Sequence, residues 1–159
     1  MNFNNPIILD ITQEECLRIK DKMLGIPYKL HGRNFNGVDC WGCIILFYKL
    51  AFNYTIKDFQ SYNEDTIYQI DYLTQYRKSY FNEWEEVKQP ALGDVVLFSL
   101  DKKTINHAGI LIAPNKFLHA CSAGVVVSEI GQREWTKNQM RTFRTRSRNV
   151  SANIQLGAS

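Results

Sequence analysis

The chain has 159 residues, of which 45% are hydrophobic and 22% are charged, with a formal net charge of +3 at pH 7. This length and composition predict one soluble globular domain with a substantial core, and they argue against a disordered or fibrous protein. Neither a secretion signal nor an apolar run of membrane-spanning length is visible, so we expect no membrane insertion. Without such a signal, the four cysteines, at positions 16, 40, 43 and 121, do not indicate a disulfide framework.

The charge is distributed unevenly along the chain. From Arg133 onward there are six basic residues and only one acidic residue. A basic run of this kind could contact nucleic acid or an anionic surface, but the solvated edge of a last strand is the more frequent explanation. We therefore expect no nucleic-acid partner.

A first helix is predicted to begin after Thr12, which forms a capping box with Glu15, and to end before Gly25. The segment that follows, residues 28–38, contains two glycines and is predicted to be a loop. Asp39 is then a predicted N-cap for a second, largely buried helix that runs to about Phe52.

A long polar insert, which we predict to be helical, follows the second helix at about residues 54–90. Within it, a capping-box pattern and four tyrosines spaced four apart predict a third helix over about residues 61–80. The tyrosine stripe could hold a sugar or a partner protein, but a half-buried helix whose hydroxyls reach water is the simpler interpretation.

From Gly93 onward the pattern changes to short segments rich in β-branched and aromatic residues, separated by turn residues. These segments are DVVLFSL, INHAGILI, KFLHA, GVVVSEI and MRTFRTR. Helices followed by short strands predict an α+β domain in which N-terminal helices pack on a C-terminal antiparallel sheet. We assign this domain to residues 1–146 and predict that residues 147–159 form a polar tail.

Two cysteines, Cys40 and Cys43, lie three residues apart at the start of the second predicted helix. A dithiol redox pair normally follows a strand in a βαβ unit, and no strand is predicted before Cys40. A zinc site would add His107 and His119, but these histidines are further apart in sequence than the pair in a compact zinc finger. We therefore predict no metal site, and we expect Cys43 to be a small core residue.

A catalytic thiol uses more of the sequence. Cys40 is predicted to lie in the first turn of a helix, where backbone N–H groups and the helix dipole favour a thiolate and lower its pKa below the free value of about 8.5. Gly42 is expected to let a substrate approach the sulfur. His107 begins one predicted strand and His119 closes the next, so a hairpin would bring the two imidazoles together. One could then accept the thiol proton while the other orients it.

Four motifs in order, D-C-W-G, G-D-V-V-L-F, N-H-A-G-I-L-I and K-F-L-H-A, resemble those of the NlpC-type cysteine peptidases. These are compact members of the papain-like superfamily that cut peptidoglycan stem peptides. The resemblance covers about residues 10–145 and implies a papain-like fold with no cofactor. It also implies that Cys40 is the nucleophile, His107 the general base and His119 the orienting third member of the triad.

The same resemblance implies three substrate-binding residues. Tyr28 stands where the family has a tyrosine whose hydroxyl lines the active site and assists the oxyanion, although it could be an ordinary loop residue. Asp39 stands where several members hold the substrate's free amino group, although it could be a simple helix cap. Trp41 replaces the serine that follows the nucleophile in most cellular members, and we place it in the substrate-binding set.

The D-C-W-G form, the long polar insert and the lack of a secretion signal are similar to the branch of the family found in bacteriophage tail assembly proteins. The resemblance therefore implies a thiol hydrolase in the virion tail, with other tail proteins as partners. Its expected substrate is the stem-peptide bond between D-glutamate and diaminopimelate or lysine. A second hypothesis is a structural or tail-assembly protein that keeps the fold, and whose cleavage is secondary or directed at a tail protein.

Overall fold

The computed structural model describes residues 10–56, 58, 84–99, 107–136, 140–148, 150 and 154. Within these residues the chain forms two helices and eight strands, which are α1 Gln13–Met23, β1 Arg33–Asn34, β2 Gly37–Val38, α2 Cys40–Phe52, β3 Trp84–Glu86, β4 Val95–Phe98, β5 His107–Ala113, β6 Lys116–Cys121, β7 Gly124–Glu129 and β8 Met140–Thr145. Neither of these helices has the length and apolar character needed to cross a membrane.

The first two predicted helices are confirmed, and their ends follow from local chemistry. The Thr12 side chain accepts from the Glu15 backbone N–H, and the Glu15 side chain accepts in return from the Thr12 N–H, which completes the capping box of α1. The α2 helix begins after Asp39 and ends at Asn53, which adopts the left-handed conformation with φ of 50°.

The strands form a six-stranded sheet in the order β3-β8-β4-β5-β6-β7, and every neighbouring pair is antiparallel. Five of these strands fall on the five predicted β segments. Because the helices precede a mainly C-terminal antiparallel sheet, the α+β prediction is confirmed.

The structure corrects two local predictions, one for the loop before α2 and one for the insert after it. The segment at residues 28–38 is not only loop, because β1 and β2 form a small hairpin in which Arg33 pairs with Val38. The insert at 54–90 is not entirely helical, because β3 lies at its end and pairs with β8. The predicted third helix at 61–80, with its tyrosine stripe, lies outside the described residues.

Side chains alternate between the two faces of the sheet and form two apolar clusters. Val95 and Leu97 belong to the larger cluster, which also contains the buried faces of α1 and α2. Val96 and Phe98 point to the other face and join a smaller cluster with Phe117 and other residues. This alternation follows from the two-residue period of a strand.

The basic C-terminal segment is largely tied to acidic residues of the same domain. Asp94, which is fully buried, accepts hydrogen bonds from Arg144 at 2.8 and 2.9 Å and from Arg148 at 2.7 Å. Two further ion pairs, which are more exposed, connect this segment to β3. Arg141 of β8 pairs with Glu86, and Arg146 after β8 pairs with Glu85. Ion pairs within the domain therefore engage four of the six cations, but β8 lies between β3 and β4, so the predicted solvated edge of a last strand is wrong.

Part of the predicted tail belongs to the packed domain. Arg148 is only 6% exposed. The Ile154 backbone N–H donates to the Pro90 carbonyl at 2.7 Å, and the Ile154 side chain packs against the smaller apolar cluster. The division of the chain at residue 146 stays a prediction.

The buried charges give a stability prediction. Replacing Asp94 with Ala leaves the Arg148 guanidinium buried without its carboxylate, so we expect the free energy of unfolding to fall by roughly 3–5 kcal/mol. Urea denaturation monitored by circular dichroism measures this change. The matched control is Glu85→Ala, which removes the exposed pair with Arg146 and should cost less than about 1 kcal/mol. Equal losses in the two variants would contradict this account.

Candidate active site

The carboxylate of Asp39 fixes the start of α2 and the loop before it. One oxygen accepts from the Gly42 backbone N–H at 2.7 Å and from Arg33 at 2.8 Å, and the other accepts from the His31 backbone N–H at 2.8 Å. Asp39 is only 7% exposed. The carboxylate is therefore engaged by the protein itself as a helix cap, and its contact with a substrate amino group stays a prediction.

Gly42 also has a different role from the one expected. A Cβ atom at this position would overlap the carbonyl oxygen of Gly32. The glycine therefore allows the loop backbone to lie directly against the first turn of α2, and it does not serve to open a path to the sulfur.

Trp41 is buried in the domain core. Its side chain is 1% exposed and packs on Trp84 of β3, with ring centroids 5.8 Å apart. The prediction that Trp41 binds substrate is corrected, because the residue joins α2 to the strand that ends the insert.

Cys43 is fully buried in the larger apolar cluster, as expected for a core residue.

The sulfur of Cys40 lies where α2 meets β5. The residue is partly exposed. Backbone N–H groups of Ala108, Trp41 and Cys40 itself lower its pKa by hydrogen bonding. Because Ala108 follows His107 directly in β5, this contact brings the sulfur beside the predicted base.

The environment of the thiol differs from the expectation based on the helix N-terminus alone. Burial raises the pKa of Cys40 to about 12, and the Asp39 carboxylate raises it further, against the smaller lowering by the N–H groups. In the resting protein, burial therefore acts against the low pKa expected from the helix N-terminus. Desolvation of the charged sulfur outweighs the helix terminus, so the thiol is protonated at neutral pH.

His107 and His119 are brought together by adjacent strands. Nε2 of His107 lies 2.7 Å from Nδ1 of His119, and the two rings are nearly perpendicular, at 89°. In the β5–β6 ladder Ile110 pairs with Leu118, so Gly109 lies opposite His119. A Cβ atom on Gly109 would come within 3.2 Å of the His119 Cβ and within 2.7 Å of the Phe117 ring, so the glycine provides the space in which His119 reaches His107.

Two residues that the sequence did not single out complete this arrangement. Nε2 of His119 lies 2.7 Å from the Oγ of Ser128 in β7. The Trp135 ring lies 5.1 Å from the His107 ring and 5.0 Å from the His119 ring, measured between centroids. The only sequence signal for Ser128 is a polar position in a β-branched strand, which does not by itself indicate a function.

Both imidazoles are held neutral. Burial lowers the pKa of His107 to about 4, partly offset by the charge of Glu134. Burial, followed by the charge of His107, lowers the pKa of His119 to about 3. At neutral pH the site therefore holds an uncharged thiol and two uncharged imidazoles.

These contacts assign the atoms available for proton transfer. Because Nε2 of His107 is engaged by His119, Nδ1 is the nitrogen that can accept a proton from Cys40. Proton transfer requires the sulfur and this nitrogen to lie within hydrogen-bond distance in the substrate complex. The relay His107–His119–Ser128 is, by contrast, already hydrogen-bonded.

Tyr28 lies close enough to the sulfur to interact with it electrostatically. Burial, then the charges of Cys40 and Asp39, raise the pKa of its phenol. The side chain is 43% exposed, and its backbone bridges to Val38 at the end of the β1–β2 hairpin. Its position is compatible with contact to a substrate, and its role stays a prediction.

The alternative zinc set is not assembled by this fold. Cys43 points into the apolar core, while His107 and His119 bond to each other at a distance that leaves no room for an ion between them. The described part of the chain contains no group of three or more histidine, cysteine or acidic residues placed to hold a metal.

Comparison with known proteins identifies related sequences. The family model described as NlpC/P60 family matches residues 25–144. A probable peptidoglycan endopeptidase of Bacillus subtilis, LytE, is 28% identical over 113 residues, covering 71% of this chain and 28% of the relative. The murein DD-endopeptidase MepS/murein LD-carboxypeptidase of Escherichia coli K12 is 26% identical over 125 residues, covering 78% of this chain and 58% of the relative. The chain thus spans less than two thirds of these relatives.

Solved structures share the fold at lower identity. The NlpC/p60 domain of the peptidoglycan hydrolase SagA superimposes with a TM-score of 0.54 at 16% identity, covering 83% of this chain and 98% of that domain. A lipoprotein-like NLP/P60 protein of Staphylococcus aureus Mu50 gives a TM-score of 0.58 at 18% identity, covering 89% of this chain and 44% of that protein. These similarities support the α+β papain-like fold.

The raised thiol pKa gives a reactivity prediction. The rate of Cys40 alkylation by iodoacetamide, followed by peptide mass mapping across pH, should have its midpoint above that of free cysteine, about 8.5. Asp39→Asn should lower this midpoint, because it removes a negative charge beside the sulfur and retains a side-chain oxygen that can cap the helix.

Asp58→Asn is the matched control for this experiment. Asp58 also pairs with Arg33, at 3.0 Å, but its charge is not among the causes of the raised Cys40 pKa. The control should therefore leave the midpoint unchanged. A wild-type midpoint at or below that of free cysteine would show that a thiolate–imidazolium pair exists before substrate binds.

The lowered histidine pKa values give a second prediction, about stability. Unfolded imidazoles titrate near 6.5, so between about pH 4 and 6.5 the unfolded chain binds protons that the folded chain does not. The histidine contribution is fully present above about pH 6.5 and is lost as the pH falls towards 4, which should cost on the order of 1–2 kcal/mol per imidazole at pH 5. Urea denaturation at pH 7.5 and 5.0 measures the difference. The double variant His107→Gln/His119→Gln should show a smaller difference, and an equal one would contradict the assignment.

Proposed function

Because the chain belongs to the NlpC/P60 family, we propose that it is a cysteine peptidase that hydrolyses the stem peptide of peptidoglycan. The observation that carries this proposal is the hydrogen bond between His107 and His119 beside the helix terminus that bears Cys40. A thiol, a neutral imidazole and a group that orients the imidazole are the parts that nucleophilic amide hydrolysis requires.

In the proposed reaction the sulfur of Cys40 attacks the carbonyl carbon of the scissile amide, and its proton passes to Nδ1 of His107. The resulting oxyanion accepts hydrogen bonds from the Cys40 backbone N–H and from the Tyr28 hydroxyl. As the C–N bond breaks, His107 gives the proton to the leaving amine and a thioester remains. Water then gives a proton to His107 and attacks the thioester. The C–S bond breaks to release the acid, and His107 returns the proton to the sulfur, which restores the thiol and the neutral base.

The burial of the site determines how charge appears in this reaction. A thiolate alone or an imidazolium alone would be costly in surroundings that raise the thiol pKa and lower the imidazole pKa. Formed together, the two charges attract each other, so proton transfer coupled to attack avoids an isolated buried ion. His119 supports the step because its Nδ1 accepts the Nε2–H of His107, which is more strongly polarised in the imidazolium.

We assign the scissile bond to the one between D-glutamate and diaminopimelate or lysine. The names of the B. subtilis and E. coli relatives describe endopeptidases of peptidoglycan and of murein, which supports the substrate class, and neither name states the bond between D-glutamate and diaminopimelate or lysine. Digestion of purified sacculi followed by mass spectrometry tests the assignment. A new amino terminus on diaminopimelate or lysine is expected, whereas cleavage only at D-Ala cross-links would overturn the bond assignment and leave the substrate class intact.

We further propose that the protein acts in a bacteriophage tail. The basis is the D-C-W-G form and the polar insert, and the packing of Trp41 on Trp84 joins these two features physically. The alternative is a tail-assembly protein whose cleavage is secondary or directed at a tail protein. Incubation with sacculi and, separately, with phage tail extracts distinguishes the two, because products from tail proteins alone would favour the alternative and overturn the peptidoglycan proposal.

The proposed roles predict different losses for three substitutions. Cys40→Ala should abolish release of muropeptide fragments from sacculi, since no covalent step is possible. His107→Ala should lower turnover by roughly 10² to 10⁴, the usual value of general-base assistance. His119→Ala should retain the most activity, because it only frees the base to change its orientation.

Non-additivity provides the control for this series. The double variant Cys40→Ala/His107→Ala should be hardly worse than Cys40→Ala alone, because the members of a catalytic unit act together. Circular dichroism of each variant confirms that the fold is retained. A folded Cys40→Ala protein that still digests sacculi would overturn the nucleophile assignment.

A further inference from the structure

We propose that Ser128 is a positioning residue of the same site, which holds His119, and through it His107, in the tautomer that can accept the thiol proton. The proposal rests on the function proposed above and extends the relay by one residue on a third strand. Its basis is the chain of two short contacts, 2.7 Å from His107 to His119 and 2.7 Å from His119 to Ser128.

The direction of the relay follows from proton counting. To act as a base, His107 must present an unprotonated Nδ1 to Cys40, so its proton lies on Nε2 and is donated to Nδ1 of His119. Nδ1 of His119 must then be unprotonated, so its proton lies on Nε2 and is donated to the Oγ of Ser128. In the opposite arrangement Ser128 donates to Nε2 of His119, and Nδ1–H of His119 donates to Nε2 of His107. The proton of His107 then lies on Nδ1, and this protonated nitrogen cannot accept the thiol proton.

Burial makes the acceptor at position 128 important. His119 is only 1% exposed, so an Nε2–H without an acceptor would be a buried, unsatisfied donor. A buried acceptor nitrogen without a donor costs less free energy than a buried N–H without an acceptor. Removing the hydroxyl should therefore favour the tautomer with the proton on Nδ1 of His119, which is the unproductive one.

The surroundings of Ser128 allow its hydroxyl to act as an acceptor. Ser128 lines an open pocket of about 410 Å³ together with Lys116, Gln132 and Arg133. Its own proton can point to solvent in this pocket while its oxygen accepts from His119. Among the described residues, the charged groups that line this pocket are Lys116, Arg133 and Glu129, and the charge of Glu134 acts on His107.

The same contact also supports the charged stage of the reaction. When His107 becomes an imidazolium, its Nε2–H bond to His119 strengthens. Donation of the His119 Nε2–H to Ser128 places more negative charge on Nδ1 of His119, because successive hydrogen bonds polarise one another. Ser128 therefore acts on the reacting atoms only through the two imidazoles.

The test combines three variants with two measurements. Ser128→Ala removes the acceptor, Ser128→Thr retains a hydroxyl in a residue suited to a strand, and Ser147→Ala is a matched control that removes a 2.9 Å hydrogen bond to Tyr54 away from the relay. The measurements are kcat, KM and their pH profile on muropeptides, and the ¹⁵N NMR signals of the two imidazoles, which distinguish protonated from unprotonated ring nitrogens.

For the wild type we expect both imidazoles to carry their proton on Nε2. Ser128→Ala should lower kcat about tenfold, the effect of one buried hydrogen bond, with little change in KM. It should also move the acidic limb of the kcat profile to lower pH, because a His107 imidazole that is a poorer proton acceptor has a lower pKa, and it should move proton signal to Nδ1. Ser128→Thr should restore both readouts, and Ser147→Ala should change neither.

Unchanged tautomer signals and an unchanged pH profile in Ser128→Ala would overturn the proposal, as would a loss in Ser128→Ala that Ser128→Thr does not restore. Failure of the proposed function has a different signature. If the wild-type protein cleaves no muropeptide, the enzymatic proposal fails, while the tautomer signals of wild type and variants still decide whether Ser128 sets the state of the two imidazoles.

Discussion

The contact between His107 and His119 depends on the missing side chain of Gly109. Strand pairing alone places His119 opposite position 109, and a Cβ there would press on both His119 and the neighbouring Phe117 ring. With glycine, the His119 ring can lie across the strand and bond to His107 at 2.7 Å. This bond engages Nε2 of His107 and leaves Nδ1 to accept the thiol proton. The chemistry of the site therefore depends on the glycine at position 109 in the β5–β6 ladder.

The other half of the site depends on Asp39. Its carboxylate caps α2 and holds the preceding loop through His31 and Arg33, so the sulfur one residue later has a fixed position. The same charge raises the pKa of Cys40 and opposes an early thiolate. The helix cap that positions the nucleophile therefore also keeps it protonated until a base and a substrate are both in place.

The features that could be predicted from sequence are those set by neighbours along the chain. The capping box at Thr12, the N-cap at Asp39 and the five main β segments depend on local patterns, and the α+β class follows from their order. Features set by tertiary contacts were missed or misassigned. The sequence places Trp41 with the substrate because nothing in it shows that Trp84, near the far end of the insert, packs on this side chain. Ser128 has no motif, and the helix N-terminus predicts a low thiol pKa because burial is not visible in a sequence.

The central claim is that Cys40, and no other thiol, is the nucleophile. Its most direct test is to treat the folded protein with a stem-peptide analogue that carries a vinyl sulfone in place of the scissile amide, and to map the modified residues by mass spectrometry. The partly exposed Cys121 serves as an internal control. The account predicts that Cys40 is modified while Cys121 remains free, and that His107→Ala slows the modification. Modification of Cys121 as fast as Cys40, or digestion of sacculi by protein whose Cys40 is fully modified, would contradict it.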